Sequence, residues 1–144
     1  MIKKMRPKSG HTPGQRMFWD LCRCVIELRR EQDRKTLHYY DTIGEYIERL
    51  ADDSGGDISE YQLEQFVYEV PTMTMQKAHL AMQIHEAWSA EELDRLVDSG
   101  IELEDIRQLV RLNDEPSVRD QLTAEGIAKG WPSSRLAKEV RAHL

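Results

Sequence analysis

A chain of 144 residues, 40% apolar and 32% charged, is long enough for one domain with a real core, or for a small domain and a helical appendage. No apolar run approaches the roughly 20 residues needed to span a bilayer, and the N-terminus lacks the apolar centre of a signal peptide. The net charge of −6 is unevenly spread: residues 1–40 carry ten Lys/Arg against four Asp/Glu, residues 41–120 six against twenty, and the last 24 residues four against two.

A basic arm ahead of an acidic body can engage nucleic acid, an acidic partner, or the acidic body of another copy. The acidic middle speaks against broad phosphate contact, which a DNA-facing surface makes with Lys and Arg. Two cysteines, Cys22 and Cys24, do not make a disulfide scaffold and fit a reducing, cytoplasmic setting. Aromatic and β-branched residues are sparse, and nothing alternates with period two. The expected fold is therefore all-α, a multi-helix bundle.

In chain order, residues 1–15 hold Lys3, Lys4, Arg6 and Lys8 among prolines and glycines, a mixture that reads as a flexible basic arm. Residues 16–35 place Phe18, Leu21, Cys22, Val25 and Leu28 at helical spacing, and Leu37, Tyr40, Ile43, Ile47 and Leu50 repeat the pattern. These two runs predict a helical hairpin over residues 16–54, closed by the Asp-Asp-Ser-Gly-Gly turn at 52–56. A helical domain over residues 57–144 follows.

In that domain Ser59 is a natural N-cap, and Leu63, Phe66, Val67 and Val70 form one apolar stripe that Pro71 terminates. Thr72 or Thr74 can cap a helix running to Trp88. Ser89 with Glu92 forms a capping box, and Gly100 stops the helix that carries Leu93, Leu96 and Val97. Leu103, Ile106, Leu109 and Val110 mark another helix. Pro116 opens the next, with Val118 and Leu122, ending near Gly126 or Gly130; Pro132 opens the last, with Leu136, Ala137 and Val140 inward.

Signatures of catalysis are missing. There is no phosphate-cradling glycine loop, no G-x-S-x-G elbow, and His85-Glu86 lacks the second histidine of a zincin helix. Cys22 and Cys24 diverge by about 200° on a helix and do not converge on one metal. Asp52, Asp53 and Asp57 crowd one loop without the spacing of a calcium loop. Glu102, Glu104 and Asp105 sit where the macrodipole favours acids with no catalytic purpose. A non-enzymatic protein without cofactor or metal is expected.

The segment 74–88 carries the functional expectation. With Leu80, Ala81, Ile84, Ala87 and Trp88 inward, the helix presents Met75, Gln76, His79 and Gln83 outward and Lys77 on the flank. Glutamine can pair with adenine edges or phosphate oxygens, and a helix N-terminus such as that at Thr74 favours phosphate. Two short helices meeting at a Pro-containing corner give the outline of a helix-turn-helix.

From about Asp57 to Val140 the order and spacing of these pieces resemble the central DNA-binding region of ParB-family partition proteins, the KorB-like members included. The resemblance rests on Ile58-Ser59-Glu60-Tyr61-Gln62-Leu63 and Met75-Gln76-Lys77-Ala78-His79-Leu80 for the two helix starts, and on Ser89-Ala90-Glu91-Glu92-Leu93 with Leu96-Val97-Asp98-Ser99-Gly100 after them. Ile106-Arg107-Gln108-Leu109-Val110, Gly126-Ile127-Ala128-Lys129-Gly130-Trp131 and the segment 134–140 are similar to the family's closing helices. It implies a DNA-binding domain in partition or transcription regulation. The helix-turn-helix outline and the charge asymmetry place the expected DNA contacts at Thr74, Gln76, Lys77, His79 and Gln83, with Lys3, Lys4, Arg6 and Lys8 assisting. Nothing in residues 1–56 matches the family's nucleotide-binding domain, so no nucleotide chemistry is implied. The alternative is an all-α protein-interaction or oligomerisation module, a homo-oligomer included, that does not bind DNA.

Overall fold

The computed structural model describes residues 12–53 and 55–144, so Lys3, Lys4, Arg6 and Lys8 lie outside the described residues. Those residues form α1 (Pro13–Asp53), α2 (Glu60–Glu69), α3 (Met75–Ala87), α4 (Ala90–Asp98), α5 (Leu103–Leu109), a 3-10 turn (Val110–Leu112), α6 (Pro116–Lys129) and α7 (Ser133–Arg141). No strand occurs among them, and the fold is all-α as the sequence predicts. No described helix is long and apolar enough to cross a membrane.

The expected hairpin over residues 16–54 is instead one continuous helix of 41 residues. The physical reason lies in the segment 33–38, Asp-Arg-Lys-Thr-Leu-His, which has neither glycine nor proline to end a helix. Ion pairs one turn apart carry the helix across the supposed corner: Arg29–Asp33 at 3.3 Å and Lys35–Glu31 at 3.5 Å. The helix also begins at Pro13, a residue expected in the flexible arm; Thr12 caps it, its Oγ1 accepting from the Gln15 amide at 3.2 Å.

Around that long helix the two apolar stripes are out of phase. Leu37, Tyr40, Ile43, Gly44 and Ile47 are buried on the body, whereas Phe18, Leu21, Val25 and Leu28 are all more than half exposed. At 100° per residue the first stripe is turned from the second by roughly a quarter of a turn. A straight helix can lay only one of them on the same body. Leu50, also expected inward, is exposed, Cys22 is half-buried, and Cys24 is exposed.

One core runs from Leu37 through Ile84, Leu93, Ile106 and Leu109 to Val140, so the second half of α1 shares its interior with the C-terminal helices. α3 crosses α1 at its closest approach. A Cβ added to Gly44 would lie 2.5 Å from the Ala81 carbonyl oxygen and 2.5 Å from the His85 Cβ. Only glycine lets these helices meet at that depth. Asp33 is buried on the same side of α1, and its Oδ2 accepts from the Leu103 amide at 3.3 Å, satisfying an orphan donor at the start of α5.

The remaining boundaries follow local rules. Ser59 and Ser89 each close a capping box, with Gln62 and Glu92. Gly100 and Gly130 take the left-handed conformation that their positions require, with φ of +94° and +61°. α6 therefore ends at Lys129 before Gly130, and Gly126 is buried within it, where Trp131 and Leu136 pack. Pro132 stands one residue before α7 rather than inside its first turn.

His85 links α3 to α1 with both ring nitrogens, Nδ1 to Asp41 at 2.8 Å and Nε2 to Glu48 at 2.8 Å. Burial lowers its pKa, but the hydrogen bond and charge of Asp41 and then Glu48 outweigh that, leaving the value raised above 6.5. A raised folded value means that the contribution to stability is complete below the unfolded value, near 6.5, and is lost as pH climbs through the folded one. Chemical denaturation at a series of pH values is expected to show His85→Gln flattening this part of the profile. The gap between wild type and variant should shrink from pH 6 to pH 8.

Candidate functional site

α2 and α3 are joined by residues 70–74, and the corner between them is sharply made. Val70 is the C-cap of α2 in an extended conformation, Pro71 blocks any continuation, and Thr72 turns the chain with φ of +67°. A β-branched residue in the left-handed region is uncommon, so this corner is held by its surroundings. Lys77 contributes, its Nζ donating to the Thr72 carbonyl at 3.1 Å. Thr74 is the N-cap of α3, its Oγ1 accepting from the Lys77 amide at 3.1 Å.

From that start α3 buries Ala78, Leu80, Ala81 and Ile84, with Trp88 buried just beyond its end. Ala87 is half-buried, and Met75, expected outward, is half-buried against the core. Thr74, Gln76, Lys77 and His79 are exposed, and Gln83 is half-buried. All five predicted residues line one cleft of about 480 Å³ between the outer side of α3 and the junction of α5 with the 3-10 turn.

The opposite wall of the cleft supplies Arg107 and Arg111, neither of which is among the residues expected from α3. Their spacing of four residues puts them on one face of α5 and its 3-10 continuation. Arg111 Nη1 donates to Gln108 Oε1 at 3.0 Å, a neutral partner that leaves its charge uncompensated. Arg107 and Arg111 are the only basic residues between Leu96 and Val118, in a stretch rich in acids, and that isolation was the signal available in the sequence.

Among the described residues no Asp or Glu lines the cleft, although the chain as a whole carries a charge of −6. Lys77, Arg107 and Arg111 thus form a local positive field. The N-terminal end of α3 adds its partial positive charge and its unpaired amides at the same place. Such an arrangement can hold an anionic, extended ligand.

A chain of polar contacts runs from Gln83, on the wall of the cleft, to α6. Asn113 Nδ2 donates to the Gln83 carbonyl at 3.0 Å, and its Oδ1 accepts from Arg119 Nη1 at 3.0 Å. Arg119 is buried, lies over the Trp88 ring at 5.2 Å, and pairs with Asp120 at 3.1 Å. The end of α3 is thereby tied to the start of α6, across the segment that carries Arg111.

No protein-family model matches this chain, and comparison with curated proteins and with solved structures returns no significant match.

Proposed function

We propose that this chain is a non-enzymatic DNA-binding protein that seats α3 against duplex DNA as the second helix of a ParB-like helix-turn-helix. The observation that supports the reading is the carboxylate-free cleft in which Thr74, Gln76, Lys77, His79 and Gln83 of α3 face Arg107 and Arg111. Phosphate oxygens would meet Lys77, the two arginines and the amides at the start of α3, which positions the helix without reading sequence. Gln76 and Gln83, seven residues apart and therefore on one side of α3, would be left for base edges. Lys3, Lys4, Arg6 and Lys8 would add backbone contacts from the arm. Partition or transcription regulation is the role such a domain serves in the family it resembles.

Titration of a fluorescent random duplex at low salt, followed by anisotropy, tests this reading. Saturation is expected in the range of about 1–100 µM, as for sequence-independent binding. Lys77→Glu should abolish it, while Arg49→Glu, on α1 and outside the cleft, should not. No binding at tens of micromolar would reject the reading.

A second reading, a helical protein-interaction module that binds no DNA, is favoured by one observation. Tyr61 and Tyr68 stand 72% and 87% exposed on α2, beside the acidic Glu60, Glu64 and Glu69, a surface suited to a protein and unsuited to phosphate.

A further inference from the structure

We propose that the projecting N-terminal part of α1 pairs with the same segment of a second copy, through Met17, Phe18, Leu21, Val25 and Leu28. These side chains are 55–66% exposed, although four of them carry the strongest apolar pattern in the first 30 residues. The inference is independent of any DNA contact.

Three observations select a second copy as the occupant. The first is spacing: 18, 21, 25 and 28 alternate by three and four, so Phe18 and Val25 fall at one core position of a heptad and Leu21 and Leu28 at the other. Val25, β-branched at the first core position, with leucine at the second favours two strands. Gln32 and Lys35 take the next two core positions, and these polar side chains fix where the seam stops and so set its register.

The second is area. Five side chains more than half exposed present on the order of 500 Å² of apolar surface. Two such faces pressed together bury on the order of 1,000 Å², about the lower limit that a specific interface clears. Left open, the patch is as large as any that a monomer normally carries.

The third is charge. Around the stripe the ionic residues satisfy one another within the helix: Asp20 pairs with Arg23, Glu27 with Arg30 at 3.0 Å, and Glu31 with Lys35 at 3.5 Å. An acidic or basic partner would find these charges already compensated. An anionic lipid surface selects a polar face of many uncompensated Lys and Arg, whereas among the described residues beside the stripe only Arg16 lacks an acidic partner. What fits is a second helix that is apolar on one face and charge-balanced on its flanks, and the chain itself supplies one.

Sedimentation velocity on the full chain between about 1 and 200 µM tests the pairing, with vesicles of anionic lipid co-sedimented in parallel. Wild type is expected at twice the monomer mass in the upper part of that range and absent from the vesicle pellet. The double variant L21E/V25E should weaken association at least 100-fold while keeping the far-UV dichroism of a folded helical protein. L28N, a milder change at a residue two-thirds exposed, should weaken it at least tenfold, which guards against misfolding of the double variant. A wild type that stays monomeric at 200 µM overturns the proposal, as do a double variant that keeps the dimer mass and a monomer captured by vesicles.

Discussion

Gly44→Val is expected to overpack the buried contact between α1 and α3, lowering stability by about 3 kcal/mol or more. Even the Cβ shared by every other residue would stand 2.5 Å from the Ala81 carbonyl oxygen, and that oxygen belongs to the backbone of α3 and cannot rotate away. α1 and α3 must therefore separate, opening gaps around Leu37, Ile47, Ala81 and Ile84, which are almost wholly enclosed. Glycine costs an isolated helix about 0.5–1 kcal/mol relative to alanine, so Gly44→Ala recovers part of its penalty and should fall between the wild type and valine. For a domain of this size the valine variant should melt about 10 °C lower. Calorimetry or thermal dichroism reads it directly, and a Gly44→Val protein as stable as wild type would mean that the two helices do not meet at this depth.

The second large effect concerns the arginines across from α3. On the DNA-binding reading, Arg107→Ala with Arg111→Ala removes two phosphate contacts. Each lost contact is worth about tenfold in affinity near 50 mM salt, so the double variant should bind random duplex at least tenfold and up to about 100-fold more weakly. The slope of log affinity against log salt should also fall by about 2, a signature that a mere loss of folded protein does not produce. Both side chains are exposed, so the melting temperature should hardly move. Unchanged affinity and slope would show that the second wall of the cleft does not touch nucleic acid.

Much of the fold was legible in the residues. Ser59 with Gln62, Thr74, Ser89 with Glu92, Gly100 and Pro116 each stand at a helix boundary, because caps, prolines and left-handed glycines act within one turn of chain. The α3 face was legible too, since Leu80, Ala81 and Ile84 define its inner side by period alone. What failed was the step from pattern to partner. Phe18, Leu21, Val25 and Leu28 make as good a stripe as Leu37, Tyr40, Ile43 and Ile47, and periodicity cannot say that the two share a single unbroken rod, on which they point in different directions. The hairpin was a way of burying both at once. Nor could the α3 segment reveal Arg107 and Arg111, which reach the cleft only after α4 and α5 have folded back.

The unbroken course of α1 has a mechanical consequence. At 1.5 Å per residue its 41 residues make a strut of about 60 Å, and one end is locked to α3 at Gly44 while the other stands clear of the body. The bearing of the cleft relative to that free end is thus set by helical phase rather than by a hinge. One residue inserted near Arg30 would swing the free end by about 100° while advancing it only 1.5 Å. Whatever grips the free end would accordingly dictate the compass heading of α3, with rigid torsion in place of a flexible tether.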